Sequence, residues 1–274
     1  MNHSSTQIHP TAVIEDGAEL DYGVVVGPYA IIGKSVKIAK GTQVHGHALV
    51  TGKTTIGEDN IIFSYASVGN IPQDLKYKNE DTELIIGNRN RIREFTTLQT
   101  GTVQGGGITR IGNDNLLMNY VHVAHDCTIG DQNILANGTQ LAGHVTIYDK
   151  VTLGGLSAVH QFVHVGDMAM LAAGAVTVKD IPPYCTAEGG RAVLRGLNME
   201  GLRRRNVSTD ARNALKAAYK VFFYHGHPTI EESISSLADL LHFPEVQKFA
   251  EFIKSSKRGV AHPQNIHREP SFEG

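Results

Sequence analysis

An aliphatic residue recurs at every sixth position over most of the first 171 residues of this chain. The series starts at Ile8 and continues through Ile14, Leu20, Val26, Ile32, Ile38, Val44, Val50, Ile56, Ile62 and Val68. It resumes in phase at Ile86, restarts one residue out of phase at Ile111, and runs on to Leu171. A six-residue period is neither the 3.6-residue period of a helix nor the alternation of a single strand. The chain therefore repeats one small structural unit many times.

A six-residue period fits short strands joined by corners, with one aliphatic side chain per strand pointing inward. Three such strands make a triangular coil of about 18 residues, and successive coils stack at about 4.8 Å, the usual strand spacing. The general rule for parallel crossovers favours a right-handed path. The series, however, resembles the hexapeptide repeat of left-handed parallel β-helices. We therefore predict a mainly β fold, a left-handed parallel β-helix (hexapeptide-repeat solenoid) with a C-terminal α-helical domain.

Glycine often directly follows a residue of the series, as at Gly27, Gly57 and Gly130. We expect a positive φ at these positions, because glycine adopts that conformation without steric cost. Small residues recur four positions after the series residue, and Cys127 occupies one of these places. A buried, inert thiol is the expectation for Cys127.

The series is interrupted over residues 69–85 and again over residues 103–110. We predict loops there, and loops that interrupt a solenoid commonly build its binding site. The series ends near residue 179, and the Pro- and Gly-rich stretch KDIPPYCTAEGG that follows is interpreted as a linker. The predicted domains are a β-helix over residues 1–190 and a helical domain over residues 191–274.

Helix signals appear from residue 208 onwards. Ser208 is a candidate N-cap for a helix, and Thr229 with Glu232 forms a capping box for a second helix. Pro244 is placed to start a third helix. We expect these helices to cap the open end of the solenoid.

Composition narrows the class of partner. The 274 residues carry a formal net charge of −2, so no overall field attracts nucleic acid. No segment is long and apolar enough for a transmembrane span, and the N-terminus has no secretory pattern. With only two cysteines, a disulfide scaffold is excluded and a reducing compartment is expected. These features predict a cytoplasmic protein.

The stretch HVAHDCTIGD over residues 122–131 carries the chemistry. Stacking at 18 residues per coil places His125 over Gly143, and Gly143 over Gln161. An imidazole can act as a general base near neutral pH, and an exposed glycine N–H can stabilise an oxyanion. Asp126 could orient the His125 ring. This combination favours acyl transfer.

Two further histidines, His122 and His144, should lie beside His125. Trimeric left-handed β-helices can gather three histidines around zinc, as carbonic anhydrases of that architecture do, so a zinc-dependent lyase is the alternative function. A His-x-x-His spacing has no specific zinc meaning outside a helix. The prediction is therefore an enzyme with no metal and no cofactor.

Seven stretches carry a resemblance to one family. They are QDLKY (73–77), NRNRIRE (88–94), GTVQGGG (101–107), NLLMNYVHVAHDC (115–127), LAGHV (141–145), AVHQF (158–162) and NMEGLRRR (198–205). In order, and over nearly the whole length, the chain resembles the acyl-[acyl-carrier-protein]–UDP-N-acetylglucosamine O-acyltransferases, which catalyse the first step of lipid A biosynthesis.

The resemblance implies direct transfer of an (R)-3-hydroxyacyl chain from acyl carrier protein to the sugar 3-hydroxyl. His125 would be the general base, Asp126 its support and Gly143 the oxyanion donor. The implied substrate-binding residues are Asp74, Lys76, Gln99, His122, His144, Gln161, Asn198, Glu200, Arg204 and Arg205. The family also implies a homotrimer with sites between subunits.

Three positions depart from the family pattern. Gln99 stands where a histidine is common near the acceptor, which leaves a 3-amino UDP-sugar as an alternative acceptor. Ala173 replaces a common glycine at the end of the acyl-chain groove, so a preference for a shorter acyl chain is expected. His160 and Met170 would also line this groove. Arg191 replaces a histidine near the nucleotide, and its consequence is left open.

Overall fold

A computed structural model describes residues 5–226 and 228–264. The ends of both predicted domains, residues 1–4 and 265–274, lie outside the described part. Within the described residues the chain forms short strands arranged in three sheets, followed by helices. We name the sheets A, B and C, in the order in which the chain first enters them.

Every coil passes through sheets A, B and C in turn. Sheet A contains β1 (Gln7–Ile8), β4 (Val25–Val26), β7 (Gln43–Val44), β10 (Ile61–Ile62), β13 (Arg91–Ile92), β16 (Leu116–Leu117), β19 (Ile134–Leu135), β22 (Thr152–Leu153), β25 (Met170–Leu171), β27 (Cys185–Glu188) and β28 (Val193–Leu197). Sheet B contains β2 (Val13–Ile14), β5 (Ile31–Ile32), β8 (Leu49–Val50), β11 (Ser67–Asn70), β14 (Thr97–Gln99), β17 (His122–Val123), β20 (Gln140–Leu141), β23 (Ala158–Val159) and β26 (Val176–Thr177). Sheet C contains β3 (Glu19–Leu20), β6 (Val36–Ile38), β9 (Lys53–Ile56), β12 (Glu83–Ile86), β15 (Ile108–Ile111), β18 (Thr128–Ile129), β21 (Thr146–Ile147) and β24 (His164–Val165).

Apart from β27 and β28, neighbouring strands in each sheet belong to successive coils and pair in parallel, as His122 does with Gln140. The prediction of a left-handed parallel β-helix is confirmed. The chain turns at three edges, which we call the A–B, B–C and C–A edges after the sheets that meet there.

The six-residue series forms the core. From Val26 to Leu171 its members are 3% exposed or less, whereas Ile8 in the first coil is 46% exposed. Each fully buried aliphatic side chain stabilises the fold by about 1.5–3 kcal/mol relative to an exposed one. Burial of the series confirms the interpretation of the repeat.

The expectation of positive φ directly after the series residue is wrong at Gly27, Gly57 and Gly130. After Gly27 and Gly57 the left-handed residue comes two positions later, at Tyr29 (φ 57°) and Asp59 (φ 55°). Glycine is required at the earlier position because the backbone of the next coil approaches too closely for a Cβ atom. An alanine Cβ at Gly27 would lie 2.6 Å from the backbone nitrogen of Gly46 in the next coil, and one at Gly57 would lie 2.6 Å from the Gly87 oxygen.

Buried asparagines stack along the C–A edge. The side-chain oxygen of Asn90 accepts hydrogen bonds from both the backbone and side-chain nitrogens of Asn115, at 2.9 and 3.0 Å. The Asn90 amide donates to the Asn60 side-chain oxygen (3.0 Å) and to the Gly112 carbonyl (2.9 Å). All three asparagines are 1% exposed or less. The stack keeps the coils in register where the chain turns out of sheet C.

The first interruption of the series is a shorter loop than predicted, and the second lies three residues earlier than predicted. The strands β11 and β12 extend into the first, which leaves residues 71–82 irregular, because Glu83 pairs with Lys53 of the coil below. The second occupies residues 100–107 around a 3₁₀ turn, Val103–Gly105, because β15 begins at Ile108. Each loop follows a sheet B strand and precedes a sheet C strand. Both therefore project from the same B–C edge.

Part of the stretch interpreted as a linker, Cys185–Glu188, forms a strand of sheet A. Strand β27 pairs in parallel with β25, and β28 returns antiparallel to β27, so the sheet continues to Leu197. The predicted domain boundary at residue 190 falls in the turn of this hairpin. Proline and glycine here belong to turns between paired strands, not to an unpaired connection.

The described residues after the sheets form four α-helices: α1 (Met199–Arg204), α2 (Thr209–Phe223), α3 (Ile230–Ser235) and α4 (Pro244–Ser255), with a 3₁₀ turn at Ala238–Leu240. Ser208 and Thr229 cap α2 and α3 through their side-chain oxygens, and Pro244 starts α4, as predicted. The sequence reasoning missed α1. Within the described residues, no helix is long and apolar enough to cross a membrane.

Candidate active site

His125 lies in the turn between β17 and β18, on the B–C edge from which both loops project. Its Nδ1 contacts Oδ2 of Asp126 at 2.8 Å, and its side chain is 14% exposed. With Nδ1 donating to the carboxylate, Nε2 carries the lone pair and can accept a proton. The predicted pairing of an imidazole with its carboxylate support is present.

Asp126 is fixed by the loop at residues 100–107. Its Oδ1 accepts the Thr102 N–H (2.8 Å), its Oδ2 accepts the Thr102 hydroxyl (2.6 Å), and its own N–H donates to Thr109 Oγ1 (2.8 Å). Gly105 packs so closely that an alanine Cβ would collide with the carboxylate. The Asp126 side chain is 1% exposed. Sequence reasoning missed Thr102, although the phase slip of the series marks this segment.

Gly143 lies directly beneath the His125 ring, as the coil spacing predicted. A Cβ at Gly143 would lie 2.6 Å from His125 Cε1 and 2.9 Å from Nε2. No carbonyl or side chain of residues 5–226 or 228–264 accepts a hydrogen bond from the Gly143 N–H. The third member of the column, Gln161, is exposed on the same edge one coil further on.

His122 and His144 flank this pair. Thr97 Oγ1 lies 2.7 Å from His122 Nδ1, while His144 meets His125 edge-on at 5.1 Å between ring centroids and stacks on Phe162 at 4.4 Å. Burial lowers the pKa of His122, and repulsion between its ring and that of His125 when both are protonated lowers it further. Burial also lowers the pKa of His144 and outweighs the opposing charges of Asp126, 3.8 Å away, and Asp74. Both imidazoles are therefore biased towards the neutral form.

The loop at residues 71–82 holds two of the predicted substrate residues, Asp74 and Lys76. The Asp74 carboxylate accepts the Lys76 N–H at 2.9 Å, and the Lys76 side chain is exposed. Gln99 is buried beneath the loop, and its side-chain oxygen accepts the Gln73 N–H at 3.3 Å. A cavity of about 310 Å³ between this loop and sheet B is lined by Gln99 and Asn70, among others.

The predicted nucleotide residues lie on a different edge. Asn198 caps α1 and donates to the Met168 carbonyl (2.9 Å), and Arg205 donates to Gln132 (2.9 Å). Met168 and Gln132 are both in turns of the C–A edge. Glu200 pairs with Arg204 at 2.9 Å in an exposed contact. Within a single chain, sheet C therefore separates these residues from His125.

The predicted acyl-groove residues are also divided. His160 lies on the B–C edge, Met170 is half-buried in sheet A, and Ala173 is exposed on the A–B edge. The single chain does not bring Met170 and Ala173 to His125. Arg191 lies in the β27–β28 turn.

His125, Asp126 and His144 place nitrogen and oxygen atoms within 4.8 Å of one another, as a metal site would. Both Asp126 oxygens, however, already accept protein hydrogen bonds, and one of the donors is His125 itself. Binding a cation here would require breaking this network. The donor set fits an imidazole–carboxylate pair better than a zinc centre.

An oriented imidazole above an available glycine N–H, on the edge of a hexapeptide-repeat β-helix, defines an acyltransferase of the hexapeptide-repeat class. The chain matches the family model described as UDP N-acetylglucosamine O-acyltransferase, domain 2, over residues 180–261. It also matches the model of the bacterial transferase hexapeptide (six repeats) over residues 108–143.

Named relatives carry the comparison further. The acyl-[acyl-carrier-protein]–UDP-N-acetylglucosamine O-acyltransferase of Sulfurovum sp. is 53% identical over 92% of this chain and 96% of its own. That of Aliarcobacter butzleri is 50% identical over 92% and 97%. The UDP-N-acetylglucosamine acyltransferase of Francisella novicida has a solved structure with a TM-score of 0.92, 35% identity, and coverage of 98% of this chain and 100% of that one. For the O-acyltransferase of Moraxella catarrhalis the TM-score is 0.89, at 44% identity and coverage of 93% and 99%.

The chain belongs to the family of acyl-[acyl-carrier-protein]–UDP-N-acetylglucosamine O-acyltransferases. It is an acyltransferase, and the family resemblance drawn from the sequence is confirmed. These comparisons support neither the zinc-dependent lyase nor the 3-amino acceptor.

Proposed function

We propose that the protein transfers an (R)-3-hydroxyacyl group from acyl carrier protein to the 3-hydroxyl of UDP-N-acetylglucosamine, the first step of lipid A biosynthesis. The observation that carries the proposal is the hydrogen-bonded His125–Asp126 pair above Gly143. Two buried, unpaired thiols, Cys127 and Cys185, suit a protein of the reducing cytoplasm. Burial raises the pKa of Cys127 to about 12, which makes it a poor nucleophile.

In this mechanism His125 Nε2 removes the proton of the sugar hydroxyl as its oxygen attacks the thioester carbonyl. Asp126 holds the ring and stabilises the imidazolium that forms. The Gly143 N–H donates to the oxyanion of the tetrahedral intermediate, an interaction of a type that contributes about 10²–10³-fold in rate. The intermediate then expels the thiolate of the carrier arm, and the imidazolium returns the proton to that sulfur.

Neutral imidazoles suit the rest of the site. His122 and His144, with lowered pKa values, can exchange hydrogen bonds with the sugar without adding positive charge beside His125. A second cation there would disfavour formation of the imidazolium. In this proposal Asp74 and Lys76 contact the acceptor together with Gln161, two coils from His125, and the recess beside Gln99 receives part of it.

We propose a homotrimer as the active form. Within one chain, sheet C separates His125 from the predicted nucleotide residues Asn198, Glu200, Arg204 and Arg205. Met170 lies in sheet A and Ala173 on the A–B edge. A site built from the B–C edge of one chain and the other edges of its neighbour would unite them. Paired guanidinium groups would then hold the diphosphate.

Mass spectrometry tests the reaction. Protein with UDP-N-acetylglucosamine and a series of 3-hydroxyacyl carrier proteins should give acylated UDP-sugar. His125→Ala should abolish the product, and the matched variant His9→Ala, an exposed histidine of the first coil, should not. Absence of product with every chain length from a folded wild-type protein would refute the proposed function.

Mixed oligomers test the shared site. Chains carrying His125→Ala would be mixed, after dissociation, with chains carrying Arg204→Ala and Arg205→Ala. If sites lie between subunits, reassembly restores part of the activity, because some sites receive an intact residue set. No recovery in reassembled trimers would place each site within one chain.

A further inference from the structure

The side chain of Thr97 holds the ring of His122. Strands β14 and β17 are neighbours in sheet B, and their parallel register sets Thr97 beside His122. The next residue of each strand, Leu98 or Val123, is fully buried, so the two polar side chains project from the outer surface of the sheet. Thr97 Oγ1 lies 2.7 Å from His122 Nδ1. Among the described residues, this is the one side-chain hydrogen bond that either residue makes.

The hydroxyl group is the donor in this contact. Thr97 Oγ1 carries one hydrogen, and residues 5–226 and 228–264 offer it no acceptor besides His122. A neutral imidazole has one acceptor nitrogen and one donor nitrogen, so Nδ1 accepts and the ring proton is on Nε2. Burial lowers the pKa of His122 and thereby favours this neutral form. The Nε2–H of His122 is therefore left for a ligand.

The hydrogen-bond partner of each imidazole sets what the ring presents. His125 Nδ1 faces the Asp126 carboxylate at 2.8 Å, which makes Nε2 an acceptor and stabilises the imidazolium. The Thr97 hydroxyl is uncharged and donates to Nδ1, so it stabilises the neutral ring of His122 instead. The two rings thus present opposite groups, a lone pair on His125 and an N–H on His122. A sugar that gives a hydroxyl proton to the first and an oxygen lone pair to the second satisfies both.

Thr97 also borders the recess that the proposed function assigns to part of the acceptor. It lines the cavity of about 310 Å³ together with Ser67 and Gln99. A sugar that enters this recess therefore lies beside the Thr97–His122 pair. We infer that Thr97 is a positioning residue, which fixes His122 as an Nε2–H donor to an oxygen of the acceptor sugar. The inference rests on the proposed function.

Removing the hydroxyl group tests the inference through kinetics. Thr97→Val keeps a β-branched side chain that suits a strand. KM for UDP-N-acetylglucosamine should rise about fivefold, the effect of one ordinary hydrogen bond, with kcat nearly unchanged because the His125–Asp126 pair is untouched. Thr97→Ser should restore the wild-type KM. In a His122→Ala background, Thr97→Val should have no further effect, because its partner is absent. The matched control is Thr55→Val, an exposed threonine of β9 on sheet C, which should retain the wild-type KM.

The tautomer of His122 gives a measurement that does not depend on turnover. Heteronuclear NMR spectra of protein with isotope-labelled histidine report which ring nitrogen carries the proton, and His122→Ala identifies the signals. At neutral pH the wild type should show a protonated Nε2 and an unprotonated Nδ1. Thr97→Val should move the Nδ1 resonance to the position of a nitrogen without a hydrogen bond, and Thr97→Ser should leave it in place.

Three results would overturn the inference. The first is a proton on Nδ1 of His122 in the wild type, and the second is an unchanged Nδ1 resonance in Thr97→Val. The third is a loss in Thr97→Val that persists in full in the His122→Ala background, because it would show that Thr97 does not act through His122. Absence of acylated UDP-sugar from the folded wild type would instead refute the proposed function, whereas the NMR spectra would still decide the tautomer.

Discussion

Replacing Gly143 with alanine tests the geometry of the proposed base. The new Cβ would lie 2.6 Å from His125 Cε1, whereas ordinary van der Waals contact begins at 3.4 Å. The imidazole must therefore retreat by nearly 1 Å, while the backbone at Gly143, outside the positive-φ region, accepts alanine without strain. The Gly143 N–H is retained. The substitution thus displaces the base and leaves the oxyanion donor in place.

A displacement of this size can cost about 10²-fold in rate, equivalent to about 2.7 kcal/mol. We expect kcat of Gly143→Ala to fall by about that factor, with a smaller change in KM for the UDP-sugar and little change in the thermal midpoint. The assay is steady-state transfer followed by mass spectrometry. Gly190→Ala is the matched control, because its Cβ would meet nothing within 4 Å. Wild-type kcat in Gly143→Ala would refute the assignment of His125 as a base acting from this position.

Three other substitutions have defined outcomes. Thr102→Val removes the hydroxyl donor to Asp126, so kcat should fall roughly tenfold and the acidic limb of the pH–rate profile should move to higher pH. Thr102→Ser should restore both, whereas an unshifted profile in Thr102→Val would contradict a positioning role. Asn90→Ala leaves buried partners in the asparagine stack unpaired and should lower the free energy of unfolding by about 2–5 kcal/mol in denaturant titrations; a loss below about 1 kcal/mol would contradict it. His122 has a lowered pKa in the folded protein, so below about pH 6.5 the unfolded chain binds its proton more readily and stability falls with acidification. The stability of His122→Gln should therefore decline less steeply than that of the wild type between pH 7 and pH 5, and parallel curves would refute the linkage.

The fold could be predicted from the sequence because each strand of the repeat contributes one aliphatic residue at the six-residue period. Each aliphatic residue of the series occupies an equivalent inward-facing position and stacks on its counterpart in the next coil, as Val123 does on Leu141. The glycine expectation failed for a physical reason. Local backbone preference suggested positive φ at Gly27, but the constraint there is the approach of another coil, which a single segment does not reveal.

The candidate site was predictable in part. Coil spacing alone placed Gly143 under His125, since a residue and its neighbour one coil later occupy equivalent positions. The hydrogen bonds of Thr102 to Asp126 were not predictable, because they depend on the path of an irregular loop. Residues on α1 could not be related to His125 by coil spacing, since they lie outside the repeat.

Catalytic geometry in this molecule arises where the repeat is broken. A regular solenoid offers every coil the same shallow corner, and a lone histidine on such a corner would be solvated and unsupported. The additional residues at 100–107 change this at a single coil, because they cover Asp126 and supply two donors to its carboxylate. The loop at residues 71–82 projects from the same edge and adds Asp74. Of the three edges the described chain presents, the B–C edge therefore combines a buried carboxylate, an oriented imidazole and an available backbone N–H.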